Sequence, residues 1–495
     1  MIHRITETIK FNMLTNNMFA IQNEYGQLME KLSTQKMINR PSDDPIGTND
    51  ILDYRTARAS IEQYQTNITD ADIWLKLTST NLASLRNTMD AAKNIAISES
   101  GAGASPETRQ SSLATLTALI DEALSLMNAK NGDNYIFSGS AIDVQPFSST
   151  YAASSVSNVA AATTNSFNGT VSSGGIYAAT ENKSYVVKIV SGGTLAAATY
   201  QISSDGGQTW GGVLTNLSAP LALGDGITIG FTAGTVDLAA HDLFTVNGAA
   251  AGYYNGNNDQ LNAVIGKSND FSYNITGAEA FTGQFASAEV TGPDINADDT
   301  ILLTRGATAG SWAITSHPNY PAMTITSQTL ETLTIDADGD TNPDITVNLT
   351  GAWNQNDTIE LSLTAGITSG GIPATFSGSG SVDLLATLNA LKAALQEPDQ
   401  NRAEQLIAAQ VENLITAATQ VLQYETQAGA RINTLTVTSS NHDSLNLQIT
   451  NMLADIENAD LTKLITSFQM KQIAMQASYS MASKIGEMTI MDYIR

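Results

Sequence analysis

The sequence predicts a mainly α plus β protein: its N- and C-terminal halves form a long helical bundle or coiled coil, with two antiparallel β domains inserted between them. Apolar residues near both ends recur at alternating steps of three and four, which is the spacing of a coiled-coil seam. Most of the 37 glycines lie between positions 142 and 376, where turns must therefore concentrate. The same middle region contains short β-branched segments such as 185–190 and 227–231, which are typical of antiparallel strands.

Length, charge and cysteine content narrow the possible functions. A chain of 495 residues is expected to form several domains. Its 23 basic and 48 acidic residues give a net charge of -25, which disfavours both nucleic acid and an anionic membrane as partners. The absence of cysteine excludes disulfides and thiol chemistry. The first residues lack the pattern of a secretory signal, so we expect a soluble protein with no classical export signal.

The first helix is predicted by a narrow apolar seam within residues 1–40. A seam of this width suits a partner helix better than the broad surface of a globular core. The seam residues are Leu14, Met18, Ile21, Tyr25, Leu28 and Leu32.

Two further helices follow, each with its own start signal. Asp44 followed by Pro45 reads as an N-cap with proline at the first helical position, and Ser105 followed by Pro106 repeats the device. The apolar seams of these helices run over residues 61–96 and 113–127.

The C-terminal part predicts a short helix over 384–395, a long one through 407–435 and a last helix. The seam assigned to the last helix is Leu461, Ile465, Phe468, Gln472, Met475, Tyr479 and Ala482. Because isolated helices are marginal in water, we expect the first and last helices to become fully ordered on assembly. The predicted assembly interface is Leu14, Met18, Ile21, Leu28, Leu32, Leu461, Ile465, Phe468, Met475 and Tyr479.

These elements predict four regions. Residues 1–40 and 455–495 form a terminal coiled-coil region, and residues 41–141 and 377–454 a helical rod. Residues 142–281 form a β-rich outer domain, and residues 282–376 a second inserted β-rich domain.

Residues 31–47, KLSTQKMINRPSDDPIG, resemble the flagellin superfamily at the join between its first two helices. Within them Pro41-Ser-Asp-Asp-Pro45 is similar to the hook-filament junction branch of that superfamily. The resemblance covers residues 1–147 and 377–495 well, 250–281 in part and 282–376 hardly. Further stretches that carry it are 63–67, 135–139, 146–147, 274–277, 280–281, 475–479 and 491–494.

The resemblance implies a structural subunit of the bacterial flagellum that forms the junction between hook and filament. It implies axial self-assembly through the terminal helices, with hook-associated protein 1 on the hook side and flagellin on the filament side. A dedicated export chaperone and an extracellular position at the junction follow from the same resemblance. We expect no catalytic residues, no cofactor and no metal, and therefore no enzyme.

Two other interpretations remain. A flagellin, the filament subunit itself, differs at Pro41-Ser-Asp-Asp-Pro45 and at the chain's end. A secreted carbohydrate-binding or glycoside-hydrolysing protein is suggested by residues 203–210, SSDGGQTW, which fit the Asp-box pattern. That pattern usually braces a hairpin turn, and a glycosidase would also need a cluster of catalytic carboxylates that the sequence does not single out.

The best metal candidate is the acidic run Asp336, Asp338 and Asp340, because alternate oxygen ligands suit calcium. Thr341 stands where an EF-hand needs glycine, and Val347 where it needs glutamate. An acidic hairpin turn is therefore the preferred interpretation, and metal binding is left open.

Overall fold

The computed structural model describes residues 7–101, 103–179, 182–292, 295–308, 310–365, 367, 369–377 and 381–493. Helices lie at both ends of the chain, and one short helix separates two β-rich regions. The helices are α1 (Glu7–Thr34), α2 (Pro45–Glu99), α3 (Pro106–Met127), α4 (Gly277–Phe281), α5 (Leu384–Leu395), α6 (Gln400–Glu457) and α7 (Leu461–Tyr493).

The strands fall into two groups, before and after α4. The first group is β1 (Lys130–Asn131), β2 (Asn134–Tyr135), β3 (Phe147–Ala152), β4 (Ser155–Val156), β5 (Ala160–Ala161), β6 (Thr170–Gly175), β7 (Lys183–Ser191), β8 (Thr199–Ser203), β9 (Leu214–Thr215), β10 (Leu221–Gly224), β11 (Ile227–Thr232), β12 (Leu243–Ala249), β13 (Gly252–Tyr254), β14 (Asn262–Gly266) and β15 (Asn269–Ser272). The second group is β16 (Phe285–Val290), β17 (Asp299–Arg305), β18 (Trp312–Ser316), β19 (Thr324–Gln328), β20 (Thr332–Asp336), β21 (Ile345–Thr350), β22 (Thr358–Leu363), β23 (Gly370–Ile372) and β24 (Ala374–Ser377).

The helix starts predicted from the sequence are confirmed, and their caps explain them. The Asp44 carboxylate accepts the backbone N–H groups of Ile46 and Gly47 at 3.1 and 3.0 Å. The Ser105 hydroxyl accepts the N–H of Thr108, whose own hydroxyl accepts the N–H of Ser105. These hydrogen bonds satisfy backbone donors that a helix N-terminus otherwise leaves without partners.

The apolar seam of α2 supplies much of the helical core. Helices α3 and α5 pack against each other, and α2 meets α6 through an Arg86–Glu425 ion pair with N···O 3.1 Å. The fully buried seam positions on α2 are Leu75, Thr78, Leu82, Leu85, Met89, Ala92 and Ala96. Because most helical stability comes from such packing, this seam holds the helices in place.

The first β region has two antiparallel sheets over one core. One sheet runs β4-β12-β7-β8-β9, with β5 also paired to β12, and the other runs β10-β11-β6. Buried and partly exposed residues alternate along β11 and β12, as expected when one face of a strand packs inward. The shared core includes Tyr185, Val187, Ile189, Ile229, Phe244 and Val246.

The second β region is a sandwich with its own core. Its sheets have the strand orders β19-β20-β21-β16-β23 and β18-β17-β22-β24. Both sheets contribute to one cluster that includes Ile301, Leu303, Leu333, Ile335, Val347, Ile359 and Leu361. The chain enters and leaves this region at neighbouring points, because the N–H of Gln284 donates to the carbonyl of Ser381 at 2.6 Å.

A cluster of aromatic rings joins α4 to β3, β13 and the loop that follows β2. Phe281 lies 4.8 Å from Phe137 and 5.7 Å from Phe147, between ring centroids. Tyr254 lies 5.0 Å from Phe147, and its hydroxyl donates to the carbonyl of Phe137 at 3.0 Å. The sequence stretches around 137, 147 and 281, which are far apart along the chain, therefore meet in one place.

The chain divides into two compact units. The first contains Met1–Thr69, Val264–Asn269 and Leu435–Arg495, and the second contains Asp70–Ala263 and Asp270–Thr434. The predicted fold class is confirmed: helices at the two ends flank antiparallel strands, and α1 packs against α7. Among the described residues, no helix combines the length and the hydropathy needed to cross a membrane.

Candidate assembly interface

Helices α1 and α7 pair within the first unit, and the predicted seam of α1 faces that contact. Its predicted members Leu14, Met18, Ile21, Leu28 and Leu32 are all half-buried, as is Tyr25 between them. None of them is fully buried. The first helix therefore finds a partner within the chain, but the contact is incomplete.

Specific contacts fix the register of this pair. The rings of Tyr25 and Phe468 stack with 4.7 Å between centroids. Gln22 donates from Nε2 to the Tyr479 hydroxyl at 3.0 Å. Glu24 and Lys471 form an ion pair that is largely exposed and so contributes little to stability. The sequence analysis did not identify Gln22, Glu24 or Lys471, because their partners lie more than 400 positions away.

The stripe of α7 that faces α1 is displaced from the predicted seam. Leu464 is 6% exposed, and Phe468, Met475 and Ala482 are half-buried, whereas Leu461 and Ile465 are 40% and 45% exposed. The remaining inward positions on this stripe are polar or small: Ser467, Lys471, Ala474 and Ser478. Gln472 and Tyr479 are both exposed in the single chain, and their place in the seam of the assembled subunits stays a prediction.

On its solvent-facing side, here named the outer face, the α1–α7 pair exposes several large apolar side chains. On α1 they include Phe19 and Met29, and on α7 they include Ile465 and Ile473. These side chains are about half to two-thirds exposed: 56%, 55%, 45% and 66% respectively. Large apolar side chains left exposed on one helix pair are candidates for a protein interaction site. Within the predicted interface, Leu461, Ile465 and Tyr479 lie on this outer face.

The loop between α1 and α2 is held by Glu457 at the end of α6. The Glu457 carboxylate forms ion pairs with Lys36 and with Arg55, and its backbone carbonyl accepts the N–H of Met37 at 2.7 Å. Burial alone would raise the pKa of Glu457, but the bonds from the two cations lower it below its usual value.

Residues of the loop between α1 and α2 also stabilise the loop itself. The Asp43 carboxylate accepts the N–H groups of Asn39 and Arg40, both at 3.0 Å, and these bonds lower the pKa of Asp43. The adjacent Asp44 caps α2, as described above. The Pro41–Pro45 stretch thus folds the chain back from one helix into the next.

A second sequence stretch, residues 63–67, binds the tip of the β14–β15 hairpin. Asn67 donates from Nδ2 to the carbonyl of Val264 at 2.7 Å, and His442 lies 2.7 Å from the carbonyl of Ile265. Gln65 donates to the Asp443 carboxylate at 2.6 Å. These contacts join α2, α6 and the hairpin tip within the first unit.

The Asp-box stretch is a braced turn. The Asp205 carboxylate accepts the Ser203 hydroxyl at 2.5 Å and the N–H of Thr209 at 2.9 Å. These two groups, Ser203 first, lower the pKa of Asp205 far below its usual value. Because both carboxylate oxygens already accept bonds from the turn, Asp205 has the arrangement of a structural residue.

The acidic run at 336–340 also forms a turn. The ligand oxygens of Asp336, Asp338 and Asp340 lie within 4.8 Å of one another, and they are the one group in the described part of the chain that could hold a metal ion. The Asp336 carboxylate, however, accepts the N–H groups of Gly339 and Thr341 at 2.7 and 2.8 Å. Through such bonds the acidic residues stabilise a hairpin turn.

Comparisons with known proteins found similarity to flagellar proteins. A family model described as the bacterial flagellin N-terminal helical region matches residues 5–141. The chain is 31% identical over 140 residues to the flagellar hook-associated protein 3 of Salmonella typhimurium, which covers 27% of this chain and 44% of that protein. It is 30% identical over 140 residues to the Escherichia coli protein of the same name, covering 28% and 44%. The match thus spans under half the length of these two curated relatives.

Solved structures with related names match this chain at low TM-scores. A flagellar hook-associated protein 3 from Legionella pneumophila matches with a TM-score of 0.40 and 15% identity, covering 81% of this chain and 98% of that chain. A putative flagellar hook-associated protein from Vibrio parahaemolyticus matches with a TM-score of 0.40 and 13% identity, covering 84% and 100%.

Proposed function

We propose that this chain is a structural subunit of the bacterial flagellum that forms the junction between hook and filament. The carrying observation is the pair of terminal helices α1 and α7, whose contact is only half-buried and whose outer face is apolar. The similarity of the N-terminal helical region to two hook-associated proteins supports the same assignment. In this proposal the chain acts by binding other subunits and has no catalytic site.

The proposed interface consists of the residues predicted from the sequence, divided between two roles. Leu14, Met18, Ile21, Leu28, Leu32, Phe468 and Met475 hold the α1–α7 pair together, and Leu461, Ile465 and Tyr479 contact neighbouring subunits. Burying exposed apolar side chains contributes about 25 cal/mol per Å² removed from water. Assembly with copies of this chain would complete the burial that the single chain leaves unfinished.

The proposed partners are hook-associated protein 1 on the hook side, flagellin on the filament side and a dedicated chaperone during export. The proposed location is outside the cell, at the hook-filament junction. The four predicted regions, bounded at residues 40, 141, 281, 376 and 454, are kept as a proposal for how the subunit is organised.

A deletion strain tests this proposal. We expect cells that lack the chain to form hooks without attached filaments and to release unpolymerised flagellin into the medium. Complementation with the full chain should restore filaments, and normal filaments in the deletion strain would refute the proposal.

Immunogold labelling of intact cells separates the junction role from that of a filament subunit. A junction protein gives a single band of label next to the hook. Label along the whole filament would assign the chain to flagellin instead.

A further inference from the structure

The second unit contains a cavity that the proposed assembly role does not use. Its volume is about 820 Å³, and it is lined by residues of both β regions together with α4, α6 and Asp383, the cap of α5. Small-molecule sites typically occupy about 300–1,000 Å³. The cavity therefore has the dimensions of a ligand site.

Aromatic rings form much of the cavity wall. Tyr151 and Tyr253 meet edge to face, with 5.5 Å between ring centroids, and Trp312 and Trp353 meet similarly at 5.3 Å. Tyr424 lines the wall contributed by α6. Aromatic faces carry partial negative charge and attract cations.

The charged side chains in the lining are mostly acidic. Glu279 and Glu331 contribute carboxylates, and the Asp383 carboxyl is buried as the cap of α5. The cation among the described lining residues is Arg305, whose Nη1 donates to the carbonyls of Thr308 and Ser311 at 2.6 and 2.8 Å and whose guanidinium lies 5.8 Å from the centroid of the Trp312 ring. Such a lining repels anions and attracts cations.

One lining residue carries a polar atom without a partner. The Gln284 side chain is buried, and its Nε2 donates to the carbonyl of Ala352 and to the Asp357 carboxylate at 2.7 and 2.6 Å. Its Oε1 has no hydrogen-bond partner in the described structure. A buried acceptor without a partner is costly, and this one lies in the wall behind the cavity rather than on the cavity surface.

We propose that this cavity binds a small organic ammonium compound, with the cation held against the tyrosine rings by the carboxylates of Glu279 and Glu331. The site is independent of the α1–α7 interface, because all of its lining residues belong to the second unit.

Titration of the full-length chain with choline tests the proposal. Trp312 and Trp353 line the cavity, so intrinsic fluorescence and calorimetry both report on binding. We expect choline to bind about 10-fold more tightly than its uncharged isostere 3,3-dimethylbutan-1-ol, the ratio that one cation–aromatic contact of about 1.4 kcal/mol gives. The anionic 3,3-dimethylbutanoate should bind more weakly still. Equal binding of all three compounds, or none by choline, would overturn the proposal.

Matched variants locate the site. Glu331→Gln removes a carboxylate from the exposed rim of the cavity and should weaken choline binding by about threefold to tenfold. Glu360→Gln makes the same charge change on β22, outside the cavity, and should leave choline binding unchanged. Tyr151→Leu should weaken binding, whereas Tyr151→Phe keeps the ring and should not. Equal effects of the two glutamate variants, or tighter binding of a neutral sugar such as maltotriose than of choline, would contradict a cation site.

Discussion

Gly277 lies where two aromatic rings leave no room for a side chain. A Cβ atom there would come within 2.6 Å of Phe147 Cε2 and 2.8 Å of Tyr254 Cε2. The glycine is thus required by close packing at the first turn of α4. The sequence indicates that the stretch around 274–281 matters, but it does not show why, because the rings that exclude a side chain come from distant parts of the chain.

We expect Gly277→Ala to lower the free energy of unfolding by about 1–3 kcal/mol through overpacking. Gly429→Ala on α6 is the matched control, since nothing lies within 4 Å of its added Cβ. In a helix that substitution should be neutral or raise stability by up to about 1 kcal/mol. Urea unfolding of both variants provides the measurement, and unchanged stability of Gly277→Ala would show that the rings can move aside.

Asp383 caps α5 by accepting the N–H of Ala386 at 2.8 Å, and it is buried. Burial raises the pKa of its carboxyl from 3.8 to about 7. The folded chain therefore holds this proton more tightly than the unfolded chain does. The stability that the proton contributes is fully present below pH about 4, and it is lost as the pH rises to about 7.

Asp383→Asn should remove this pH dependence while keeping the cap, because the asparagine oxygen can accept the same N–H. We expect the variant to gain stability relative to the wild type between pH 5 and pH 8, with an upper limit of roughly 4 kcal/mol for the full shift. Urea unfolding at the two pH values measures the difference. If the variant and the wild type differed equally in stability at pH 5 and pH 8, Asp383 would be ionised in the folded chain.

At the scale of elements, apolar spacing predicts which face of α1 turns inward, but it does not predict the inward face of α7. Spacing alone finds an apolar stripe on a helix, but it does not say which of two stripes will meet a partner. On α7 the more apolar stripe, with Leu461 and Ile465, faces outward, and the stripe that contacts α1 includes Lys471 and Ser478. The choice depends on contacts with α1, such as the stacking of Tyr25 on Phe468.

Charge insertion at two helical positions separates pairing from folding. Leu28→Glu changes a half-buried position on α1. We therefore expect the free energy of unfolding in the main thermal transition to change by no more than about 1 kcal/mol. Leu82→Glu changes a fully buried position on α2 and should cost at least about 4 kcal/mol, because an unpaired carboxylate would lie in the helical core.

Both variants should fail to restore filaments in the deletion strain, Leu28→Glu through assembly and Leu82→Glu through folding. Calorimetry of the purified chains, set beside complementation, distinguishes the two causes. If Leu28→Glu destabilised the main transition as much as Leu82→Glu, the terminal helices would belong to the folded core of the single chain.

For the whole molecule, the sequence predicts where helices and strands lie, but not how the strands pair. The caps at Asp44 and Ser105 are local signals and were identified correctly. The strand orders of the two β regions place residues together that are far apart in sequence, as where β6 pairs with β11 and β16 with β21. Such pairings depend on which strands can bury a core together, and no local sequence pattern predicts that.

The second β region can be removed without separating the ends it leaves behind. Gly283 approaches Ser381 so closely that a Cβ would lie 1.9 Å from the Ser381 carbonyl oxygen. We expect a chain in which three glycines replace residues 285–380 to keep the helical core, with one cooperative unfolding transition and an unchanged Arg86–Glu425 contact.

Circular dichroism and thermal unfolding of that shortened chain provide the measurement. The shortened chain should lose β signal and keep its helical signal. Loss of cooperative unfolding would show that the sandwich stabilises the helices directly, and complementation would then show whether the region is also needed at the junction.

The apolar outer face of the α1–α7 pair belongs to a chain with a net charge of -25. Dissolved copies therefore repel one another over distances set by the ionic atmosphere, which reaches about 30 Å at 0.01 M salt and about 8 Å at 0.15 M. Dilute buffer should keep the copies apart, and physiological salt should let the short-range attraction act. Light scattering of the purified chain should show self-association that rises with sodium chloride, so that ionic strength acts as a threshold between a stored subunit and one ready to add to a growing structure.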